Sequence, residues 1–334
     1  MKQRFAALLA LLLAVFLLVP AFAGETPAYF EGITTSWPFA GFPERDEEGY
    51  LVPGAVELDE FIHSDFENGV WVYLSPSLQA VVYRCEAKLE TGAVRWYEGE
   101  VKSRKDVVRV FSDNPARPRV GYNYPQLIAR AHKVVLALNG DYFTFRTGSK
   151  IPNGVIIRDG AIVNSRTSHG KQVMQPPLDE LALYADGRFE LRYPREITAQ
   201  DYLDRGALDV VAFGPILIRD GVMDDRIEKK FRGLEPRSAI GMVKPGHYIF
   251  MNVEGRIKAS AGATCLFLAE RMQARGAVQA FTLDGGQTSG MFFMGTHINE
   301  PGEYNGSKFI RKQPDIVGIG YSEQVRQDNK RTQE

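Results

Sequence analysis

The chain has 334 residues, 44% of them hydrophobic, and its 40 basic and 41 acidic side chains leave a formal charge of −1. That length can bury one large core with an N-terminal elaboration, and so even a charge balance excludes a general field that would gather nucleic acid or an acidic bilayer. With only Cys85 and Cys265, a disulfide framework and any multi-cysteine zinc site are excluded as well.

At the start, Lys2 and Arg4 precede an apolar run from Phe5 to Val19 and an Ala21-Phe22-Ala23 end. This is the pattern of a secretory signal peptide, residues 1–23, cleaved after Ala23. The expected location is therefore secreted or periplasmic, with no stable membrane insertion after cleavage. Residues 24–74 are rich in Gly, Pro and acids (GFPERDEEGYLVPGA) and read as an extended lead-in. From Gly69 onward, VWVYL, LQAVVYRC, AVRWYEGEV and VVRVFS are β-branched and aromatic and read as strands. Cys85 sits on one of them, alternating with Val81 and Tyr83. Cys265 shares a helical face with Leu268 and Met272, so one bridge and two buried thiols are both compatible with the sequence.

YPQLIARAH has helical spacing, and KVVLALN returns to a buried strand ending at Asn139-Gly140. Hairpins are expected around Asp159-Gly160, Asp220-Gly221 and Pro245-Gly246. A helix over 261–274 follows, with Gly276 as its C-cap, then a strand into Asp284. The tail, residues 323–334, is polar. Many strands, few helices, and both hairpins and crossovers predict an α+β fold: a mixed sheet with packed helices and a ligand crevice at strand carboxyl ends.

Two segments share one form, KVVLALN-GDYF and VQAFTLD-GGQTSG, each an apolar strand ending in Asn or Asp followed at once by Gly. Taken singly, such dipeptides are ordinary turn signals. If the two strands lie parallel in one sheet, their ends bring Asn139, Asp141 and Asp284 together. Arg237, just before another strand, has the fork to grip a phosphate or carboxylate.

These residues carry a resemblance. Asn139-Gly140-Asp141-Tyr142-Phe143, Pro152-Asn153-Gly154, Arg237-Ser238-Ala239-Ile240-Gly241, Glu254-Gly255-Arg256 and Leu283-Asp284-Gly285-Gly286 resemble, in order, the motifs of the phosphodiester glycosidase family. The resemblance spans about residues 75–322. It departs where Asp141 replaces a frequent Gly, where Glu254 opens an otherwise Asp-Gly-Arg motif, and where Gln287 takes the place of a glycine that would leave room beside the ligand.

The resemblance implies hydrolysis of a sugar-1-phosphodiester, such as an α-N-acetylglucosamine-1-phosphodiester, at the anomeric carbon of an envelope or extracellular glycan. An oxocarbenium-like transition state needs a carboxylate, and a phosphate leaving group needs cationic stabilisation more than a strong acid. The catalytic candidates are Asp284 as principal carboxylate, Asp141 as a second, and Arg237 on the phosphate. Asn139, Gly140, Tyr142, Gly154, Gly285, Gly286, Thr288 and Ser289 are the substrate-binding candidates, with Glu254 a weaker one in a segment read as solvated.

No cofactor is called for. The five histidines lack metal-ligand spacing, DGG lacks a calcium loop, and His169 lies in a polar loop. Ser289 lacks the nucleophile-elbow pattern of serine hydrolases. The alternative reading is an exported glycan-binding or polysaccharide-assembly protein without turnover.

Overall fold

The computed structural model describes residues 42–114, 122–140, 154–165 and 178–327. Strands dominate, with four α-helices among the described residues: Pro125–Ala131, Ala199–Asp204, Arg226–Lys230 and Cys265–Ala274. A nine-stranded sheet runs in the order Phe61–Asp65, Val70–Leu74, Leu78–Leu89, Gly92–Ser103, His247–Val253, Arg237–Lys244, Gln279–Leu283, Ile216–Arg219, Val222–Met223. A five-stranded sheet runs Phe189–Arg192, Asp179–Tyr184, Ala207–Phe213, Ile156–Arg158, Ala161–Asn164. The other five-stranded sheet runs Thr296–His297, Met291–Phe293, Val134–Asn139, Asp315–Tyr321, Arg109–Ser112. One buried core draws on all three, through Trp71, Phe250 and Phe281, Leu181 and Val211, and Leu136 and Val317.

The α+β expectation holds in its coarse form of strands with packed helices, but the mixed sheet does not. Every strand pairing among the described residues is antiparallel. The reason is local. Asp159-Gly160 and Asp220-Gly221 both take positive φ at both positions, 49° and 71°, then 53° and 80°. Those two-residue turns match the strand twist and fold each chain segment straight back on itself. The third expected hairpin joins Arg237–Lys244 to His247–Val253 across Pro245-Gly246.

The sheet starts at Phe61, inside the segment read as a lead-in, because Phe61–Asp65 pairs along its whole length with Val70–Leu74. Val325, in the segment read as a polar tail, is buried in the core. The helix expected from Ala261 starts at Cys265 instead. The Thr264 hydroxyl accepts the Phe267 N–H at 3.2 Å and caps it, while Ala263 is held in a β-bridge to Glu235. Its chain end at Gly276, with φ 75°, is as expected. Cys85 and Cys265 are both free and buried, and burial pushes the Cys85 thiol up to about 12. Neither is a reactive thiolate at neutral pH.

Candidate active site

The carboxyl ends of Val134–Asn139 and Gln279–Leu283 meet, though they belong to different sheets. Asn139 joins them. Its carboxamide N–H groups donate to the carbonyls of Asp284 (2.8 Å) and Gly140 (3.0 Å), its oxygen accepts the Gly290 N–H (3.2 Å), and the side chain is fully buried. The Asp284 N–H in turn donates to the Gly140 carbonyl at 3.4 Å. Asn139 therefore positions the Asp284 backbone and has its carboxamide committed to the chain, not to a bound sugar.

Gly140 lies against Asp315. A Cβ at Gly140 would stand 1.8 Å from Asp315 Oδ1 and 2.6 Å from its carbonyl oxygen. Asp315 is buried and forms an ion pair with buried Arg158 at 2.7 Å. The Gly140 N–H donates to Gln313 Oε1 at 3.2 Å, and Gln313 Nε2 donates to the Thr288 carbonyl at 2.8 Å. Arg158, Gln313 and Asp315 thus brace both strand ends, and none was among the sequence candidates.

Asp284 itself is 8% exposed, and its Oδ1 accepts the Gly285 N–H at 2.9 Å. Gly285 and Gly286 are half-exposed beside it, and Gly286 opens a 3₁₀ turn with φ 61°. A positive φ there favours glycine. The turn is fixed by the Gly286 N–H donating to the Pro236 carbonyl at 2.9 Å.

The cation over this turn is Arg256. Its guanidinium nitrogens lie 3.4 and 3.5 Å from where a Gly286 Cβ would be, and they bond Glu235 Oε2 (2.6 Å) and Gln287 Oε1 (2.5 Å). Arg237, the sequence candidate, has its guanidinium elsewhere. Nε donates to the Ala263 carbonyl at 2.7 Å and Nη2 to the Gly233 carbonyl at 2.8 Å, tying two loops together. Only the glycyl-arginyl motif at 255–256 could have pointed to Arg256 in the sequence, because strand position favoured Arg237.

Other candidates are buried. Ser289 Oγ is 2.9 Å from Ser238 Oγ and accepts the Asn252 carboxamide N–H at 2.8 Å, a core network that among the described residues puts no general base beside it. Thr288 is fully buried. Gln287 is also buried, so its bulk fills the space between Arg256 and the Gly302 carbonyl, to which Nε2 donates at 2.5 Å, and does not narrow the open side of the turn. Gly154 is buried against Ala212. Asp141, Tyr142 and His169 lie outside the described residues.

Glu254 is not solvated. Its side chain is enclosed, with Oε1 accepting from the Tyr97 hydroxyl (2.9 Å) and the Glu300 N–H (2.6 Å), and Oε2 3.5 Å from Arg95. Burial outweighs those stabilising partners and lifts its carboxyl above the ordinary carboxylate range. A folded value above the unfolded one, about 4.3, gives stability that is full below that pH and is lost as pH rises through the folded value. Thermal unfolding of Glu254→Gln beside the parent should therefore show the variant gaining relative stability as pH rises above about 4. A difference that shrinks in the opposite direction would contradict the burial account.

The sequence profile of the phosphodiester glycosidase family matches residues 132–320, more than half of the chain. The chain belongs to the phosphodiester glycosidase family. That span contains both strand ends, Arg256 and the braces at Gln313 and Asp315.

Among relatives of the chain, the SPbeta prophage-derived protein YomE of Bacillus subtilis is 26% identical over 175 residues. The match takes in 52% of the chain but 26% of YomE, so the chain spans about a quarter of that relative's length. The fold is similar to the catalytic domain of zebrafish N-acetylglucosamine-1-phosphodiester alpha-N-acetylglucosaminidase, solved as auto-inhibited by its pro-peptide. The TM-score is 0.58 at 21% identity, over 74% of this chain and 85% of that one. A hypothetical protein from Synechocystis matches at TM-score 0.49 and 14% identity, over 75% of this chain and 63% of its own.

Proposed function

We propose that the protein is an exported hydrolase that cleaves a sugar-1-phosphodiester at the anomeric carbon, with Asp284 as the principal carboxylate. The observation that carries this reading is the juxtaposition of a strand-end carboxylate and an arginine across one glycine turn in a member of this family. The zebrafish structure's name adds N-acetylglucosamine as the sugar to try first. The signal-peptide pattern at residues 1–23 supports export, and an envelope or extracellular glycan as the source of substrate.

The chemistry follows from the leaving group. A phosphate monoester departs as a stabilised anion, so the bond to the anomeric carbon can break without a strong general acid, provided a cation meets the departing oxygens. Arg256 would supply that charge, exchanging part of its half-exposed pairing with Glu235 for the substrate phosphate, a small loss for a solvent-screened bridge. Asp284 would stabilise the cationic sugar or activate water against it. Asp141 remains the proposed second carboxylate, and Tyr142 a proposed sugar contact.

The test is release of N-acetylglucosamine from its α-1-phosphodiester of methanol by the chain lacking residues 1–23, run with two arginine variants. Arg256→Ala should lower kcat/KM by roughly ten- to a hundredfold, the worth of a charge-assisted contact, with Arg256→Lys intermediate. Arg237→Ala should lower the melting temperature more than it lowers kcat/KM, since it unties the Ala263 and Gly233 carbonyls. The reverse ranking of the two would return the phosphate to Arg237.

A further inference from the structure

Residues 296–303 form a strap from the edge of a sheet to the Gly286 turn. It begins with the short strand Thr296–His297, at the outer edge of the sheet that also holds Val134–Asn139, where His297 pairs with Phe292. The Ile298 N–H then donates to the Met291 carbonyl at 3.0 Å, the Glu300 N–H to Glu254 Oε1 at 2.6 Å, and the Glu303 N–H to the Arg256 carbonyl at 3.3 Å. The Gly302 carbonyl accepts from Gln287 Nε2 at 2.5 Å. Beyond it the chain makes a small hairpin on Asn305-Gly306, at φ 52° and 77°, which joins none of the larger sheets. The strap is therefore held at separate points by single hydrogen bonds, not by a full ladder. Such a segment opens locally at a lower free energy than a core strand does.

At its start stands His297, buried, with its ring against Phe292 at 5.0 Å between centroids. Nε2 is 2.9 Å from Asn299 Oδ1, an oxygen that also accepts the Met291 N–H at 2.7 Å. That assigns the ring proton to Nε2 and leaves Nδ1 bare, with no hydrogen-bond partner among the described residues. The charged groups of the neighbouring elements are engaged elsewhere. Arg130 donates to the Gly295 carbonyl, the Arg326 N–H to the Met294 carbonyl, Glu300 pairs with Lys308, and Glu254 with Arg95. A proton on Nδ1 would put a full charge and a second donor in an enclosed place without an acceptor, and burial accordingly lowers the imidazole to about 4. With the folded value below the free one of about 6.5, closure is strongest above that pH and weakens as pH falls toward the folded value. Glu254 works the other way, its raised carboxyl favouring closure as pH falls.

We propose that the 296–303 strap is an acid-released latch: protonation of His297 opens it, and opening frees Gln287 and the Arg256 backbone from Gly302 and Glu303. The order of the turn beside Asp284 is then set by pH through a residue that lies outside the site. No step of this depends on the hydrolase reading, because the latch is measured by amide exchange and not by turnover.

The test is hydrogen exchange of the Ile298, Glu300 and Glu303 amides at about pH 7 and about pH 4.5, each rate divided by the intrinsic amide rate. It compares the parent with His297→Gln, whose carboxamide can still donate to Asn299 without titrating. The opening constant of the parent relative to the variant should rise about fiftyfold from the higher pH to the lower, the ratio for a group titrating at about 4 when closed and about 6.5 when open. Taking the ratio cancels the Glu254 contribution, which both chains share. At each pH these amides should also exchange at least about tenfold faster than those of Val134–Asn139, which marks a local release and not global unfolding. An unchanged ratio overturns the latch, as does equal protection of the strap and that strand. Asn299→Asp gives a second arm: a carboxylate on Nε2 stabilises the imidazolium in place, so acid opening should be largely lost. Opening as steep as the parent's in that variant would contradict the role of His297.

Discussion

Asp284→Asn is expected to abolish sugar release, by about a thousandfold or more in kcat/KM, while the melting temperature moves by no more than a few degrees. The two halves of that result have separate causes. The fold contacts of Asp284 described above run mainly through its backbone, whose N–H donates to Gly140 and whose carbonyl accepts from Asn139. An amide oxygen can still accept the Gly285 N–H that Oδ1 accepts now. What the amide lacks is charge, and charge is what an oxocarbenium-like transition state requires. Steady-state rates paired with thermal melts check both halves. Retained turnover in a folded variant would remove Asp284 from the chemistry.

Gly140→Ala should be the most damaging single-methyl change in the molecule's site, destabilising by more than about 3 kcal/mol, beyond the usual range for overpacking. The added carbon would stand 1.8 Å from an Asp315 oxygen that cannot retreat cheaply, because Asp315 is buried and paired with buried Arg158. Its backbone oxygen, at 2.6 Å, blocks the alternative path. For a domain of this size a loss of about 3 kcal/mol lowers the melting temperature by roughly 5 °C. Activity should fall with it, since Gly140 holds the Asp284 N–H. A melting temperature within a degree of the parent would show that the Asp315 brace is not rigid. The double variant Gly140→Ala, Asp315→Ala offers a control, as removing the carboxylate relieves the side-chain clash yet leaves Arg158 without its buried partner.

How much of this was legible in the sequence depends on how far apart the interacting residues lie. Asn139-Gly140 and Asp284-Gly285 were visible because a buried strand ending in Asx-Gly is a local pattern. That the strands join in antiparallel sheets was not, since Val134–Asn139 finds its partners at Met291–Phe293 and Asp315–Tyr321, more than 150 residues away. The turns at Asp159-Gly160 and Asp220-Gly221 were read correctly from two residues each, and Asn305-Gly306 carries the same signal.

Polar roles were the hard part. Asn139 and Ser289 have ligand-like chemistry, but their hydrogen bonds are spent inside the chain. Glu254 looked solvated because it is enclosed by Tyr97, 157 positions earlier, on a strand that flanks the one Glu254 follows. Gln313 and Asp315 gave no signal at all: a lone Gln before a strand and an Asp at its first position are unremarkable until Gly140 is placed against them. The expectation that Gln287 would crowd the ligand assumed that its side chain points outward; its two hydrogen bonds turn it inward.

Whether the bond broken joins the anomeric carbon to oxygen is tested most directly by hydrolysis of the α-N-acetylglucosamine-1-phosphodiester of methanol in heavy-oxygen water. Cleavage at the sugar carbon predicts methyl phosphate that carries no heavy oxygen, released only when Asp284 is intact. Heavy oxygen in the methyl phosphate would mean attack at phosphorus, and would contradict the account.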